Sequence, residues 1–186
     1  MQPGFLATLR ADHRAATGAA SKDSRLLRFL MTEPGGLCVA LVRLQNWLHT
    51  RGRTRASRAV FLYNRRLSGA EFGEGCTFGP GLVVRHPAGV VVSGNVRAGS
   101  NCTLMQGVTL GEEPGRSGSQ AASIGDGVFI GPGAVVLGNV EVGSFAVIGA
   151  NAVVRANVPA GNLAVGVPAR ARPRTRSEAP TDGAGS

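Results

Sequence analysis

Of the three histidines in this 186-residue chain, His86 stands inside a long tract whose other side chains are mostly aliphatic, small or absent. A neutral imidazole near pH 7 can remove a proton from a hydroxyl, so an isolated histidine in such a tract reads as a general base. A zinc site needs several ligands at defined spacing, and one histidine in the tract cannot supply them. His13 and His49 lie outside the tract and read as exposed or packing side chains. Cys38, Cys76 and Cys102 are odd in number and form no CxxC pair. They read as reduced core residues, two of them on the inward rows of the tract.

The element that must position His86 has a period of six. Every sixth residue from Phe72 gives Phe78, Val84, Val90, Val96, Cys102 and Val108, and the series resumes at Ile124 with Ile130, Val136, Val142, Ile148 and Val154. Four positions after each comes a second row of small or apolar residues, broken only at Gln106 and Glu112. Glycine often follows the leading residue, as at Gly73, Gly79, Gly125 and Gly131, and suits tight corners. Neither a helix nor a hairpin has this period. Short strands joined by sharp corners and stacked into a parallel β-helix account for it, with about five coils. Handedness does not follow from the period. Between Thr109 and Ser123 the phase is lost, and Gly111–Gln120 reads as a polar loop extruded from the solenoid, more suited to binding than to connection.

Around the repeat the chain divides into a flexible N-terminus at 1–24, a helical cap at 25–69, the repeat domain at 70–170 and a disordered tail at 171–186. Within the cap, short helices are expected at 26–31, 37–49 and 55–67, covering the open end of the solenoid. No apolar run is long enough for a membrane span and no signal peptide is evident, which points to the cytoplasm. The formal charge of +9 is concentrated in the first seventy residues, with twelve basic and three acidic side chains. Few aromatics, no binding module and nineteen arginines among twenty basic residues argue against nucleic acid. A basic surface around Trp47, Arg51, Arg53, Arg55 and Arg58 allows a weak contact with a membrane leaflet.

Residues 70–170 resemble the hexapeptide-repeat acyltransferases, and within them the serine acetyltransferase-like branch that includes exopolysaccharide enzymes of the colanic acid type. The matching pieces are Arg85-His86-Pro87-Ala88-Gly89-Val90-Val91-Val92, Gln106-Gly107-Val108-Thr109-Leu110-Gly111, Ile124-Gly125-Asp126-Gly127-Val128-Phe129-Ile130-Gly131 and Gly166-Val167-Pro168-Ala169-Arg170. The resemblance implies a left-handed β-helix, a homotrimer with active sites between subunits, acetyl-CoA as donor and no metal. It makes His86 the general base and places Glu71, fifteen residues earlier, where the family has the carboxylate that orients it. Donor binding is carried to the neighbourhood of Gly111, Gly131, Ala150 and Arg170, and acceptor contacts to Arg85, Gln106 and Gln120.

Three departures bear on the acceptor. Arg85 replaces the aspartate that precedes the catalytic histidine, Gln120 and Ala121 replace an Arg-His pair, and the N-terminal helical domain is reduced to about seventy residues. The base is kept while the amino-acid clamps are not, which favours O-acetylation of a sugar or related metabolite over serine O-acetylation. A zinc carbonic anhydrase of the same architecture would need three histidines. A non-catalytic scaffold subunit is the alternative of another class.

Overall fold

The computed structural model describes residues 4–19, 23–112, 121–175 and 178. Four helices precede the repeat: α1 (Phe5–Thr17), α2 (Asp23–Thr32), α3 (Pro34–His49) and α4 (Thr54–Ser68). The repeat that follows is a left-handed parallel β-helix of about five coils with three sheets. The first sheet stacks β1 (Glu71–Phe72), β4 (Val91–Val92), β7 (Thr109–Gly111), β10 (Val135–Leu137) and β13 (Val153–Val154). The second stacks β2 (Thr77–Phe78), β5 (Arg97–Ala98), β8 (Ser123–Ile124) and β11 (Glu141–Val142). The third stacks β3 (Val83–Val84), β6 (Thr103–Leu104), β9 (Phe129–Ile130), β12 (Val147–Ile148) and β14 (Asn162–Gly166), with β15 (Ala169–Pro173) antiparallel on its outer edge. The right-handed preference of crossover connections does not operate here, because strands rather than helices link the parallel neighbours.

Two columns of side chains fill the prism. The second residue of each strand forms one, from Phe72, Phe78 and Val84 to Val92, Leu104 and Leu110 and on to Val154. The residue two before it forms the other, including Ala70, Cys76, Leu82, Val90, Val96, Cys102 and Val108. The six-residue row read from Phe72 therefore changes column after Val84. Eight positions separate Val84 from Val92, whereas six separate Leu104 from Leu110, so the corner at Arg85–Gly89 holds two extra residues. Ala88, Gly94 and Ser100 accordingly lie on corners, outside the buried core. The breaks at Gln106 and Glu112 are the trace this shift leaves in the sequence.

The helices cap the first coil by hydrogen bonding as well as packing. In a parallel stack the N–H groups of one coil reach the carbonyls of the next, as Glu71 N–H donates to Val90 and Gly73 N–H to Val92. The carbonyls of the first coil then have no preceding coil, and leaving them buried and unpaired would be costly. Residues of α3 supply the donors: Gln45 Nε2 to Phe72 O at 2.8 Å, Asn46 Nδ2 to Cys76 O at 2.9 Å, and Arg43 to Phe78 O and Gly79 O at 2.6 and 2.7 Å. Arg43 is held in turn by a two-pronged pair with Asp12 on α1, at 3.0 and 2.9 Å. The Asp12 carboxylate also accepts the N–H groups of Gly81 and Leu82. Gly35 lets α3 come this close, since a Cβ there would overlap the Val84 carbonyl oxygen.

Residues 5–17 thus form a helix where the sequence reading expects a flexible or poorly formed segment; Asp12 gives α1 a buried anchor that local propensity does not reveal. Ala171–Pro173 complete β15, so ordered structure extends into the expected tail, while residues 179–186 lie outside the described ones. The guanidinium of Arg51 stacks 3.9 Å over the ring of Trp47, so part of the basic surface is engaged within the cap. Among the described residues no helix is long and apolar enough to cross a membrane.

Two outcomes follow. Replacing Asp12 by Ala leaves Arg43 buried without its counter-charge and should cost about 3–5 kcal/mol, measured by urea unfolding; a loss below 1 kcal/mol would show that the cap does not depend on this pair. Burial pushes the thiols of Cys76 and Cys102 up to about 12 and about 11 and raises that of Cys38, so the reactive thiolate is scarce at pH 8. A thiol reagent at that pH should label none of the three in the folded protein and all three in denaturant.

Candidate active site

His86 sits on the widened corner that joins β3 to β4. Val84 before it and Pro87 after it are buried, which fixes the backbone on both sides and leaves the imidazole exposed. Gly89 closes the corner at φ 72°, a left-handed conformation that disfavours other side chains. The corner is also pinned to its neighbouring coils: Gly89 N–H donates to Gly69 O, and Ala88 O accepts from Gly107 N–H. The two additional residues widen the corner at the position that carries His86.

Along the same edge the corners stack in register. Arg85 N–H reaches Leu104 O, Met105 N–H reaches Ile130 O, Gly131 N–H reaches Ile148 O and Gly149 N–H reaches Ala164 O. His86, Gln106, Gly131 and Ala150 therefore lie on one edge in successive coils. Gln106 is exposed there. At Gly131, which is buried, a Cβ would stand 2.9 Å from the Ala150 nitrogen, so the coils approach closely there, and Ala150 on the next coil is exposed.

The other expected site residues are distributed differently. Gly111 ends β7 at the far side of the first sheet, where its carbonyl accepts from Gly138. Arg170, on β15, is exposed and faces Val165 in the antiparallel register at the C-terminal end of the stack. Gln120 lies outside the described residues. Ala121 is 8% exposed and packs in the core at the entry to β8, where it has no polar group to offer.

Glu71 opens β1 beside Gly69, which stacks on Ala88, so it stands at the His86 edge one coil earlier. Its carboxylate pairs with Arg65 Nε of α4 at 3.0 Å and makes no hydrogen bond to His86. Arg65 was the unforeseen neighbour: its place six residues before Glu71 matters only because α4 ends at Gly69, in left-handed conformation, and turns directly into β1. Among the described residues no group of three or more His, Cys, Asp or Glu side chains is placed to hold a metal.

Comparison with known proteins places this geometry. Residues 121–156 match the family described as bacterial transferase hexapeptide (six repeats). The serine acetyltransferase of Mycobacterium tuberculosis is 36% identical over 166 residues, which cover 89% of this chain and 72% of the relative. Soybean serine acetyltransferase, solved as the apoenzyme, superposes with a TM-score of 0.83 at 31% identity, covering 92% of this chain and 70% of that one. A serine acetyltransferase solved in complex with CoA superposes with a TM-score of 0.79 at 28% identity, covering 90% and 69%. More than a quarter of each relative lies outside the match. Because the likeness runs through the helical cap as well as the coils, the chain belongs to the serine acetyltransferase family of hexapeptide-repeat acyltransferases.

Proposed function

We propose that the edge bearing His86 is the active site of an acetyl-CoA-dependent O-acetyltransferase whose acceptor is serine. The protein is an acyltransferase with acetyl-CoA as co-substrate. The observation that carries the site is the exposed His86 on an expanded corner, in line with the corners of the following coils. His86 takes the proton of the acceptor hydroxyl as its oxygen closes on the thioester carbonyl carbon, and the imidazolium returns that proton to the departing sulfur. Donor contacts are assigned to the edge around Gly131 and the exposed Ala150, with Gly111 and Arg170 as further candidate contacts. Glu71, one coil earlier on the same edge, is the residue assigned to orient the imidazole.

Serine is favoured over the sugar hydroxyl that the local departures put first, because serine acetyltransferases resemble this chain over about nine-tenths of its length. A saccharide acceptor is the second reading. Arg85 beside the base and buried Ala121 supply neither the aspartate nor the Arg-His pair expected of a serine clamp.

The working unit is a homotrimer. Outward positions of the second sheet are polar, with Thr77, Arg97, Ser123 and Glu141, whereas those of the first include Val91, Val135 and Val153. Leu62, Tyr63 and Leu67 of α4, which leads into that first sheet, are about half exposed, while Ser57 and Asn64 of the same helix are buried. Three large apolar side chains left half exposed on one helix, whose buried face is made by Ser57, Phe61 and Asn64, suit a contact surface, and this one borders the His86 edge.

His86→Ala should lower turnover roughly 10²- to 10⁴-fold while the trimer remains intact in size-exclusion chromatography; normal turnover would remove the mechanism. Glu71→Gln should lower it less. CoA release from acetyl-CoA, followed with serine, homoserine, simple sugars and nucleotide sugars, decides the acceptor. His86-dependent release with serine supports the first reading, and release with a saccharide alone replaces it by the second.

A further inference from the structure

Beside the catalytic corner, where α1, α2 and α3 meet β3, the structure encloses a cavity of about 170 Å³. Leu9, Val39 and Leu82 form apolar walls, and Asp12, Thr17, Glu33 and Arg85 contribute its polar groups, the Asp12 carboxylate being already taken up by Arg43 and by the N–H groups of Gly81 and Leu82. The cavity is large enough for a substituent of a few heavy atoms. Its apolar walls are buried whereas Arg85 is exposed, so Arg85 lies on the solvent side of the cavity, directly before His86 in the chain.

Arg85 differs from the arginines that build the fold. Arg43 is bound by Asp12, Arg65 by Glu71 and Arg172 by Glu178, and Arg97 donates to main-chain carbonyls. The Arg85 side chain makes no ion pair or hydrogen bond among the described residues, and Glu33, which lines the same cavity, does not pair with it. A guanidinium presents a planar fork of donors matched to carboxylate or phosphate.

We propose that Arg85 is the specificity-determining residue for the acceptor and selects a hydroxyl compound that carries a carboxylate or phosphate group. This rests on the acyl-transfer reading of His86 and adds the chemistry of the acceptor's other end. The anion binds at Arg85, any short apolar portion enters the cavity, and the hydroxyl is left toward the base. An ammonium group on the acceptor has no counter-charge from residue 85. Serine would be held through its carboxylate, and a saccharide acceptor would be an acidic one.

The test compares glycerate with serinol, two small alcohols that differ in carrying a carboxylate or an ammonium group. Arg85→Gln should lower the ratio of kcat/KM for glycerate over serinol by roughly 10- to 100-fold, as expected for loss of a charged hydrogen bond, and the change should lie in KM. Arg85→Asp should move the ratio further the same way, and Arg85→Lys should restore part of it. An unchanged ratio in Arg85→Asp overturns the assignment. Anion binding is read without turnover by phenylglyoxal modification of Arg85, followed by peptide mass spectrometry. Millimolar glycerate or inorganic phosphate should protect Arg85 and serinol should not; equal modification under all three conditions overturns the proposal even where His86-dependent acetyl transfer is intact. Protection at Arg85 with CoA release that survives His86→Ala overturns the catalytic reading and leaves the anion site standing.

Discussion

A parallel β-helix cannot end without consequence, because each coil's carbonyls look for the coil before it. In this protein Arg43, Gln45 and Asn46 stand in for the missing coil, and Asp12 holds Arg43 while accepting two further N–H groups of the first turn. A buried ion pair alone is weak support for stability, since desolvation opposes attraction. Here the pair is saturated with hydrogen bonds to backbone that would otherwise be unpaired, so its removal would strand groups on both elements. At the opposite end β15 folds back antiparallel on β14 and covers the third sheet's edge. The helical cap and the terminal hairpin therefore solve the same problem with different means.

Capping also has a consequence for the site. To reach the first coil, α3 must lie against β3, and Gly35 permits that approach at Val84, one residue before Arg85. The same packing leaves the cavity between the helices and β3. The helices that close the stack thus also wall the space beside Arg85 and His86.

The catalytic corner illustrates how a solenoid acquires chemistry without a new element. Regular corners on the His86 edge are short, and glycines such as Gly131 and Gly149 let successive coils approach. Two inserted residues at Arg85–Gly89 break that economy locally and project an imidazole and a guanidinium, while ladders above and below keep the rest in register. Family membership and acetyl transfer follow from the likeness that runs through cap and coils, whereas a fold alone does not name the acceptor.

The sequence by itself determined the coil period, the solenoid, the helical cap and the place of His86, because a six-residue alternation of inward and corner positions is a local property of the chain. It also held the evidence for the column shift, in Gln106 and Glu112, although only the strand pairing showed that the extra residues lie at His86. Tertiary structure alone decided what Asp12, Arg43 and Arg65 do. Asp12 lies in a polar, alanine-rich stretch with no periodic signal, and its partners are 31 and about 70 positions away. Glu71 could be assigned by spacing to the histidine, yet its carboxylate rests on Arg65, because α4 turns at Gly69 and brings that side chain alongside. Charge pairing depends on distance in space, which repeat spacing fixes within the coils but not between the coils and the helices packed on their end.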